Sequence, residues 1–260
     1  MEKTLDRIPK ALIRVPEITI YFWIIKVLAT TVGETAADFL SGTLNLGLTV
    51  ASLIMGSLLI IALFVQFWLK RYVPASYWLV VVLISIVGTL ITDKLVDDFG
   101  VSVLTSTIVF SIAMVAVFIA WYLSEKTLTM HSIVTTKREL FYWAAILFTF
   151  ALGTAAGDLL AEASGLGYAA SGLVFAALIG AVAIGYYQFQ MDETLAFWLA
   201  YILTRPLGAS AGDLLSQPVN RGGLDLGTKE TTILFLCIII SLVIYLTLSK
   251  KDQPNINRIS

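Results

Sequence analysis

The chain has 260 residues, of which 17 are Lys or Arg and 18 are Asp or Glu, so its formal net charge is −1. With 58 % hydrophobic residues and a mean hydropathy of +0.88, it is not an ordinary soluble domain, and the composition indicates a polytopic membrane protein. No basic patch supports nucleic-acid binding. The single cysteine, Cys237, excludes a disulfide within the chain.

The first 16 residues mix basic and apolar side chains and predict a cytoplasmic amphipathic arm on the membrane surface. Eight apolar stretches follow, and each has the roughly 20 residues needed to cross a bilayer. They lie near residues 17–41, 45–69, 74–97, 101–124, 138–163, 167–189, 193–216 and 229–249. A polar tail, residues 250–260, ends the sequence.

The eight stretches pair into four repeats, at residues 17–69, 70–124, 125–189 and 190–249. Basic residues concentrate in the arm, in the loops after the second and fourth stretches, and in the tail, so the positive-inside rule predicts both termini in the cytoplasm. The six tryptophans fall toward the same ends and predict an interfacial belt. We therefore predict an all-α fold of eight transmembrane helices, arranged as four helix hairpins of one orientation around a central axis.

Each odd-numbered stretch carries an aromatic–Trp pair followed by a carboxylate. The interval is fifteen residues from Trp78 to Asp93, from Trp143 to Asp158 and from Trp198 to Asp213. In the first repeat we take Glu34, eleven residues after Trp23, as the counterpart, although it comes one helical turn early. A carboxylate is costly in an apolar segment, so these four residues predict a functional site.

Further polar residues continue these four faces at intervals of four, the spacing that aligns side chains along a helix. Four lie after the motif acids, namely Asp38, Asp97, Glu162 and Gln217, and three precede them, namely Thr30, Thr89 and Thr154. Small residues accompany each face and let helices approach closely. Because the even stretches are almost purely apolar, we expect the odd helices inside and the even helices facing lipid.

The repeats resemble a bacterial family of membrane-anchored proteins built from a repeat of unknown function. The resemblance covers residues 17–249 and rests on residues 31–34, 88–93, 153–158 and 208–213. It implies a bacterial inner-membrane location and brings no substrate or activity.

The surplus of acids predicts a transporter of a hard divalent cation such as Mn²⁺, Mg²⁺ or Ca²⁺, with or without proton coupling. The predicted metal ligands are Glu34, Asp93, Asp158 and Asp213. The predicted ion-binding residues are these four together with the seven polar residues on the same faces, namely Asp38, Asp97, Glu162, Gln217, Thr30, Thr89 and Thr154. Lys26 and Arg205 each precede a motif acid by eight residues, so we treat them as equivalent gating groups near the midplane that form ion pairs with the acids. Pro206 predicts a kink in the seventh helix.

Two other hypotheses stay open. The acids and bases could form a buried ion-pair network in a structural or scaffold protein, or Lys26 and Arg205 could bind a small anion or organic solute. No nucleophile motif, phosphate loop or metal-binding histidine pair is present, so we expect no enzyme and no resident cofactor. The expected partners are the bilayer, a small ion and, as an option, further copies of the chain.

Overall fold

The computed structural model describes residues 13–253, and within them it contains eight long helices and no strand. The helices are α1 Ile20–Asp38, α2 Gly47–Leu69, α3 Pro74–Asp93, α4 Val103–Glu125, α5 Thr136–Asp158, α6 Tyr168–Phe189, α7 Glu193–Ser216 and α8 Thr228–Ser249. The predicted all-α class with eight helices is confirmed, and the boundaries agree to within a few residues.

Several helix starts follow from local sequence. The side chains of Thr19, Ser102, Thr135 and Asp192 accept hydrogen bonds from backbone N–H groups in the first turns of α1, α4, α5 and α7. These groups would otherwise lack a partner inside an apolar bundle. The helix α3 begins instead with Pro74 in its first turn, where the missing N–H costs nothing.

Seven of the eight helices are long and apolar enough to cross a membrane. The remaining helix, α7, is as long as the others but carries Arg205 and Asp213, and it packs between α1, α5 and α6. The chain is thus a multi-pass helical membrane protein. The ends of the bundle are called lower, where the odd helices begin, and upper, where they end.

The four odd helices form a closed inner ring, in which α1 packs against α3, α3 against α5, α5 against α7, and α7 against α1. Each even helix packs outside on the odd helix that follows it, so α2 lies on α3, α4 on α5, and α6 on α7, while α8 returns to α1. About two thirds of the residues in the apolar windows of α1, α3 and α5 are buried, against 22 % or less in the even helices. The predicted placement around an axis is confirmed.

Two sets of contacts repeat around the ring and fix the register of the helices. A Cβ on Gly33, Gly88, Gly153 or Gly208 would overlap Ser85, Phe150, Arg205 or Thr30, respectively, on the next helix. Likewise, each of the aromatic residues Phe22, Tyr77, Tyr142 and Phe197 contacts the tryptophan of the next repeat. Glycine is needed at these four places because the helix backbones approach so closely.

This register corrects the alignment of the first repeat. Counted from the tryptophans, Asp38 and not Glu34 is the counterpart of Asp93, Asp158 and Asp213. The turns that follow agree, because a π-helical segment begins directly after Asp38, Asp93 and Asp158. Glu34 therefore lies one turn lower, in register with Thr89, Thr154 and Ala209.

The expected equivalence of Lys26 and Arg205 is wrong for the same reason. Arg205 is in register with Thr30, whereas Lys26 is in register with Tyr201, one turn closer to the lower end. The helix α7 also runs without interruption through Pro206. That proline packs against Gly153 and Gly157 of α5.

The tryptophans differ from the predicted belt. Trp78, Trp121, Trp143 and Trp198 are buried in contacts between helices, while Trp68 is exposed on the outer face. Their position near the lower end reflects packing of the inner ring more than contact with the membrane interface.

The lower end is closed by segments from four parts of the chain. The backbone N–H of Arg14 donates to Ile133, that of Tyr72 to Ile13, and that of Glu17 to Asp252. Arg14 also forms a buried ion pair with Glu139, 2.7 Å from nitrogen to oxygen. Residues 13–16 of the predicted arm thus pack into the protein, and residues 1–12 lie outside the described part, as do residues 254–260 of the tail.

Candidate functional site

The four aspartates at matching positions, Asp38, Asp93, Asp158 and Asp213, are here called the aspartate layer. They lie at the upper end of the inner ring, around the axis. Asp93 interacts electrostatically with Asp158 and Asp38, and Asp213 interacts with the same two residues. Asp213 is buried, while the other three are partly exposed toward the upper end.

Glu34 joins this layer from one turn below. Carboxylate oxygens of Glu34, Asp158 and Asp213 lie within 4.8 Å of one another. Asp38 and Asp93 are close enough to interact electrostatically with Glu34. The structure therefore brings three of the four predicted metal ligands, Glu34, Asp158 and Asp213, to ligand distance of one another. The fourth, Asp93, and the predicted ion-binding residue Asp38 are placed only near enough to interact electrostatically with Glu34.

The upper mouth holds the remaining predicted polar residues. Gln217 donates a hydrogen bond of 2.8 Å to Asp38, so it constrains one member of the aspartate layer. Asp97 and Glu162 are exposed, and Glu162 accepts a hydrogen bond of 2.8 Å from Tyr168. These two acids lie toward the entrance, and Glu162 is close enough to the cluster to interact electrostatically with Asp158 and Asp213.

Arg205 closes the bottom of the cluster. Its side chain is fully buried, and its terminal nitrogens lie 2.9 Å from the carbonyl oxygen of Thr30 and 3.0 Å from the Glu34 carboxylate. Its Nη2 also lies 2.6 Å from Thr154 Oγ1 and donates to Thr89. The predicted threonines thus bind the guanidinium in this structure.

Ala209 explains how the guanidinium reaches the axis. The three residues in register with Ala209 are Glu34, Thr89 and Thr154, all larger. Alanine is too small to reach the axis, so the space that a larger side chain at position 209 would occupy is free. The side chain of Arg205, one turn below, extends upward into that space. Repeat 4 therefore contributes a cation where the other repeats contribute oxygen atoms.

Lys26 lies below Arg205 in an apolar setting. Its Nζ is 3.7 Å from the ring centre of Phe150 and 4.0 Å from that of Tyr201. The side chain is fully buried, and its Nζ has no hydrogen-bond partner among residues 13–253. Two aromatic faces stabilise an ammonium electrostatically, but they do not replace its hydrogen bonds with water.

An aromatic floor separates these charges from the lower end. The hydroxyl oxygens of Tyr77 and Tyr142 are 2.5 Å apart, and both rings are buried. Phe22 and Phe197 occupy the matching positions of the other two repeats, with ring centres 6.0 Å apart. The acidic cluster consequently opens toward the upper end and is sealed by packed side chains toward the lower end.

Phe150 and Tyr201, which contact Lys26, were not among the predicted site residues. Their register was the available signal, since Phe150 matches Thr30 and Arg205, and Tyr201 matches Lys26. A comparison of the four repeats aligned on their tryptophans would have placed both side chains on the axis.

These features define a class, a multi-pass helical membrane protein whose four repeats surround a buried polar core. The repeat family described as "Repeat of Unknown Function (DUF347)" matches residues 21–72, 76–127, 141–192 and 196–252. Because these matches cover most of the chain, the protein belongs to that family. No curated protein and no solved structure matches the chain.

Proposed function

We propose that this protein is an integral membrane transporter of a hard divalent cation, with or without proton coupling. One observation carries the proposal, namely that carboxylate oxygens from three repeats, those of Glu34, Asp158 and Asp213, lie within 4.8 Å of one another. Asp38 and Asp93 are close enough to interact electrostatically with Glu34, and Arg205 is the one cation that forms an ion pair with this cluster among residues 13–253. Such an excess of negative charge near the membrane interior is costly unless cations or protons balance it.

The spacing of the carboxylates suits one ion. A Ca²⁺ ion binds oxygen at about 2.3–2.6 Å, so two ligands on opposite sides are roughly 4.6–5.2 Å apart. The oxygens of Glu34, Asp158 and Asp213 lie within 4.8 Å of one another. Carboxylate oxygens, together with carbonyl and water oxygens, are the ligands that Ca²⁺, Mg²⁺ and Mn²⁺ prefer.

Arg205 supplies a gate in this proposal. An ion bound by Glu34 competes with the guanidinium for the same carboxylate, so occupation of the site weakens the contact that closes it. Because packed aromatic residues seal the lower end, a carrier that alternates between two states fits better than an open pore. The chemistry is binding and release, and we propose no enzymatic reaction.

The proposed location is the bacterial inner membrane with the lower end in the cytoplasm. Basic residues collect at that end, with Lys70, Arg71, Lys126 and Lys250 just after helices and Lys137 and Arg138 in the first turn of α5. Retention of positive loops on the cytoplasmic side supports this orientation. A reporter fused to the C-terminus tests it, because activity of a reporter that works only outside the cytoplasm would contradict it.

The function can be tested with the purified protein in liposomes loaded with a metal-sensitive dye. We expect influx of Mn²⁺ or Ca²⁺, and at least roughly tenfold slower flux in Asp158→Asn and Asp213→Asn, since each loses a charged ligand. Asp225→Asn is the matched control, because Asp225 is exposed in a loop at the same end. Monodisperse behaviour in detergent confirms that the variants fold.

Three results would contradict the proposal. Equal flux through the wild type and both variants would exclude the carboxylates as the cation site. No metal flux, together with unfolding of both variants, would favour the scaffold hypothesis. Flux of an anion that stops in Lys26→Met and Arg205→Met without any metal dependence would favour an anion carrier.

A further inference from the structure

A groove outside the inner ring is the feature that the proposed function does not use. It has a volume of about 490 Å³ and lies at the lower half of the bundle, between α4 and α7. Its deep part is apolar, lined by Met114, Leu199 and Ile202, and its lower rim contains Lys126 and Asp192. The helix α4 is the most exposed of the candidate spans, with 11 % of its apolar window buried.

The groove lies where an outer helix meets a second inner helix through a few large side chains. The helix α8 packs against both α1 and α3. The helix α4 occupies the corresponding place beside α5 and α7, but it reaches α7 through the rings of Phe118 and Trp121 on Trp198. The contact between α4 and α7 is thus made by side chains, and the groove lies beside it.

The depth of the groove matches one leaflet of a bilayer. Met114 precedes Lys126 by twelve residues, and Ile202 follows Asp192 by ten. At about 1.5 Å per residue, the groove extends roughly 15–18 Å from its charged rim. Half of a hydrocarbon core of about 30 Å is roughly 15 Å, so a groove whose charged rim meets the lipid head groups is long enough for its apolar walls to line one leaflet of acyl chains.

The rim offers one charge of each sign. Lys126 follows the last residue of α4, and Asp192 precedes the first residue of α7, and both are exposed. The walls near the rim are held in place, because Trp198 donates a hydrogen bond of 3.0 Å to the carbonyl of Leu128 and its ring meets Phe118 edge to face. A ligand with an adjacent anion and primary ammonium fits this pair better than an anionic ligand does.

We propose that the groove between α4 and α7 is a specific site for a zwitterionic phospholipid with a primary amine. Lys126 binds its phosphate, Asp192 binds its ammonium, and an acyl chain lies along Met114 and Leu199. Phosphatidylethanolamine has this chemistry. The site is independent of the acidic cluster on the axis.

Native mass spectrometry of the full-length, delipidated protein tests the proposal with three lipids that share the same acyl chains. We expect phosphatidylethanolamine to bind roughly tenfold more tightly than phosphatidylglycerol or phosphatidylcholine, the effect of about one charge-assisted hydrogen bond. Lys126→Gln should weaken all three lipids. Asp192→Asn should remove the preference for the primary amine while its amide oxygen still caps α7.

Two further variants make the result decisive. Leu199→Trp fills the apolar part of the groove and should weaken every lipid, whereas Lys229→Gln removes an exposed lysine at the upper end and should change nothing. The proposal is overturned if phosphatidylglycerol binds as well as phosphatidylethanolamine, if Asp192→Asn keeps the preference, or if Leu199→Trp binds lipid like the wild type.

Discussion

The guanidinium of Arg205 and the carboxylate of Glu34 form an ion pair of 3.0 Å on the axis of the protein, with side chains 0 % and 7 % exposed. The two residues come from the last and the first repeats. Their pairing therefore joins the two ends of the repeat sequence at the centre of the ring.

Removing one member of the Arg205–Glu34 pair should lower the free energy of unfolding. Arg205→Met leaves Glu34 beside a neutral side chain, and breaking a buried pair in this way costs about 3–5 kcal/mol. The double variant Arg205→Met with Glu34→Gln should recover most of the loss, because no isolated charge remains. Denaturant unfolding in detergent measures both, with Lys94→Met in the exposed Lys94–Asp98 pair as the control. A double variant no better than Arg205→Met would contradict this explanation.

Lys26→Met should leave the protein at least as stable as the wild type. Methionine has a similar length and no charge, and the ammonium that it replaces is buried without a hydrogen-bond partner among residues 13–253. Relief of an unsatisfied buried donor contributes about 1–3 kcal/mol. Thermal unfolding in detergent measures the difference. A clear loss of stability would mean that Lys26 contributes a favourable interaction beyond its contacts with Phe150 and Tyr201.

Gly153→Ala should destabilise the inner ring. The new Cβ would overlap the Cγ atom of Arg205, so α5 and α7 would have to separate, at a cost of about 1–3 kcal/mol. Gly56→Ala is the matched control, because Gly56 is also in a helix but a Cβ added there would have no neighbouring atom within 4 Å. The same unfolding assay compares them, and equal stability of the two variants would contradict the proposed close approach.

Asp252 predicts a pH dependence at the lower end, outside the membrane spans. Burial raises the pKa of this carboxyl above its usual value, and the hydrogen bond from Tyr72 opposes that shift. Between the pKa of the unfolded state, about 4, and the higher pKa of the folded state, only the folded protein keeps the proton on Asp252. The free energy of unfolding should therefore fall as the pH rises through this range.

Asp252→Asn keeps an acceptor for Tyr72 but does not titrate. The Tm of the wild type should therefore decline relative to that of Asp252→Asn as the pH is raised through this range. Asp225→Asn, an exposed substitution, should show no such trend. A constant difference between the wild type and Asp252→Asn would show that burial does not affect the titration of Asp252.

The arrangement of inner and outer helices could be predicted because it depends on polarity. Acids such as Asp158 and Asp213 are too costly to face lipid, so their helices had to lie inside. The partner of each outer helix could not be predicted. The helix α2 follows α1 in the first repeat, but it packs on α3 of the second repeat. No local sequence pattern distinguishes packing on α1 from packing on α3.

The depth of individual charges was harder to predict than their location on the axis. The positions of the acids favoured Glu34 as the first member of the layer, but the interval from Trp23 to Asp38 was fifteen residues, as in the other repeats. An error of one helical turn still leaves a residue on the same face. It placed Glu34 and Lys26 one turn from their true level relative to the other repeats, without changing which helix carries them.

The contact of α8 with α1 has a consequence for how the molecule is made. The first inner helix acquires its outer neighbour only when the last helix has been inserted, about 200 residues later. Synthesis therefore passes through a stage at which three hairpins are present and the axis is still open on one side. Because α7 closes the inner ring by packing against α1 and α5, the carboxylates of the first three repeats are enclosed only once the fourth hairpin is in place.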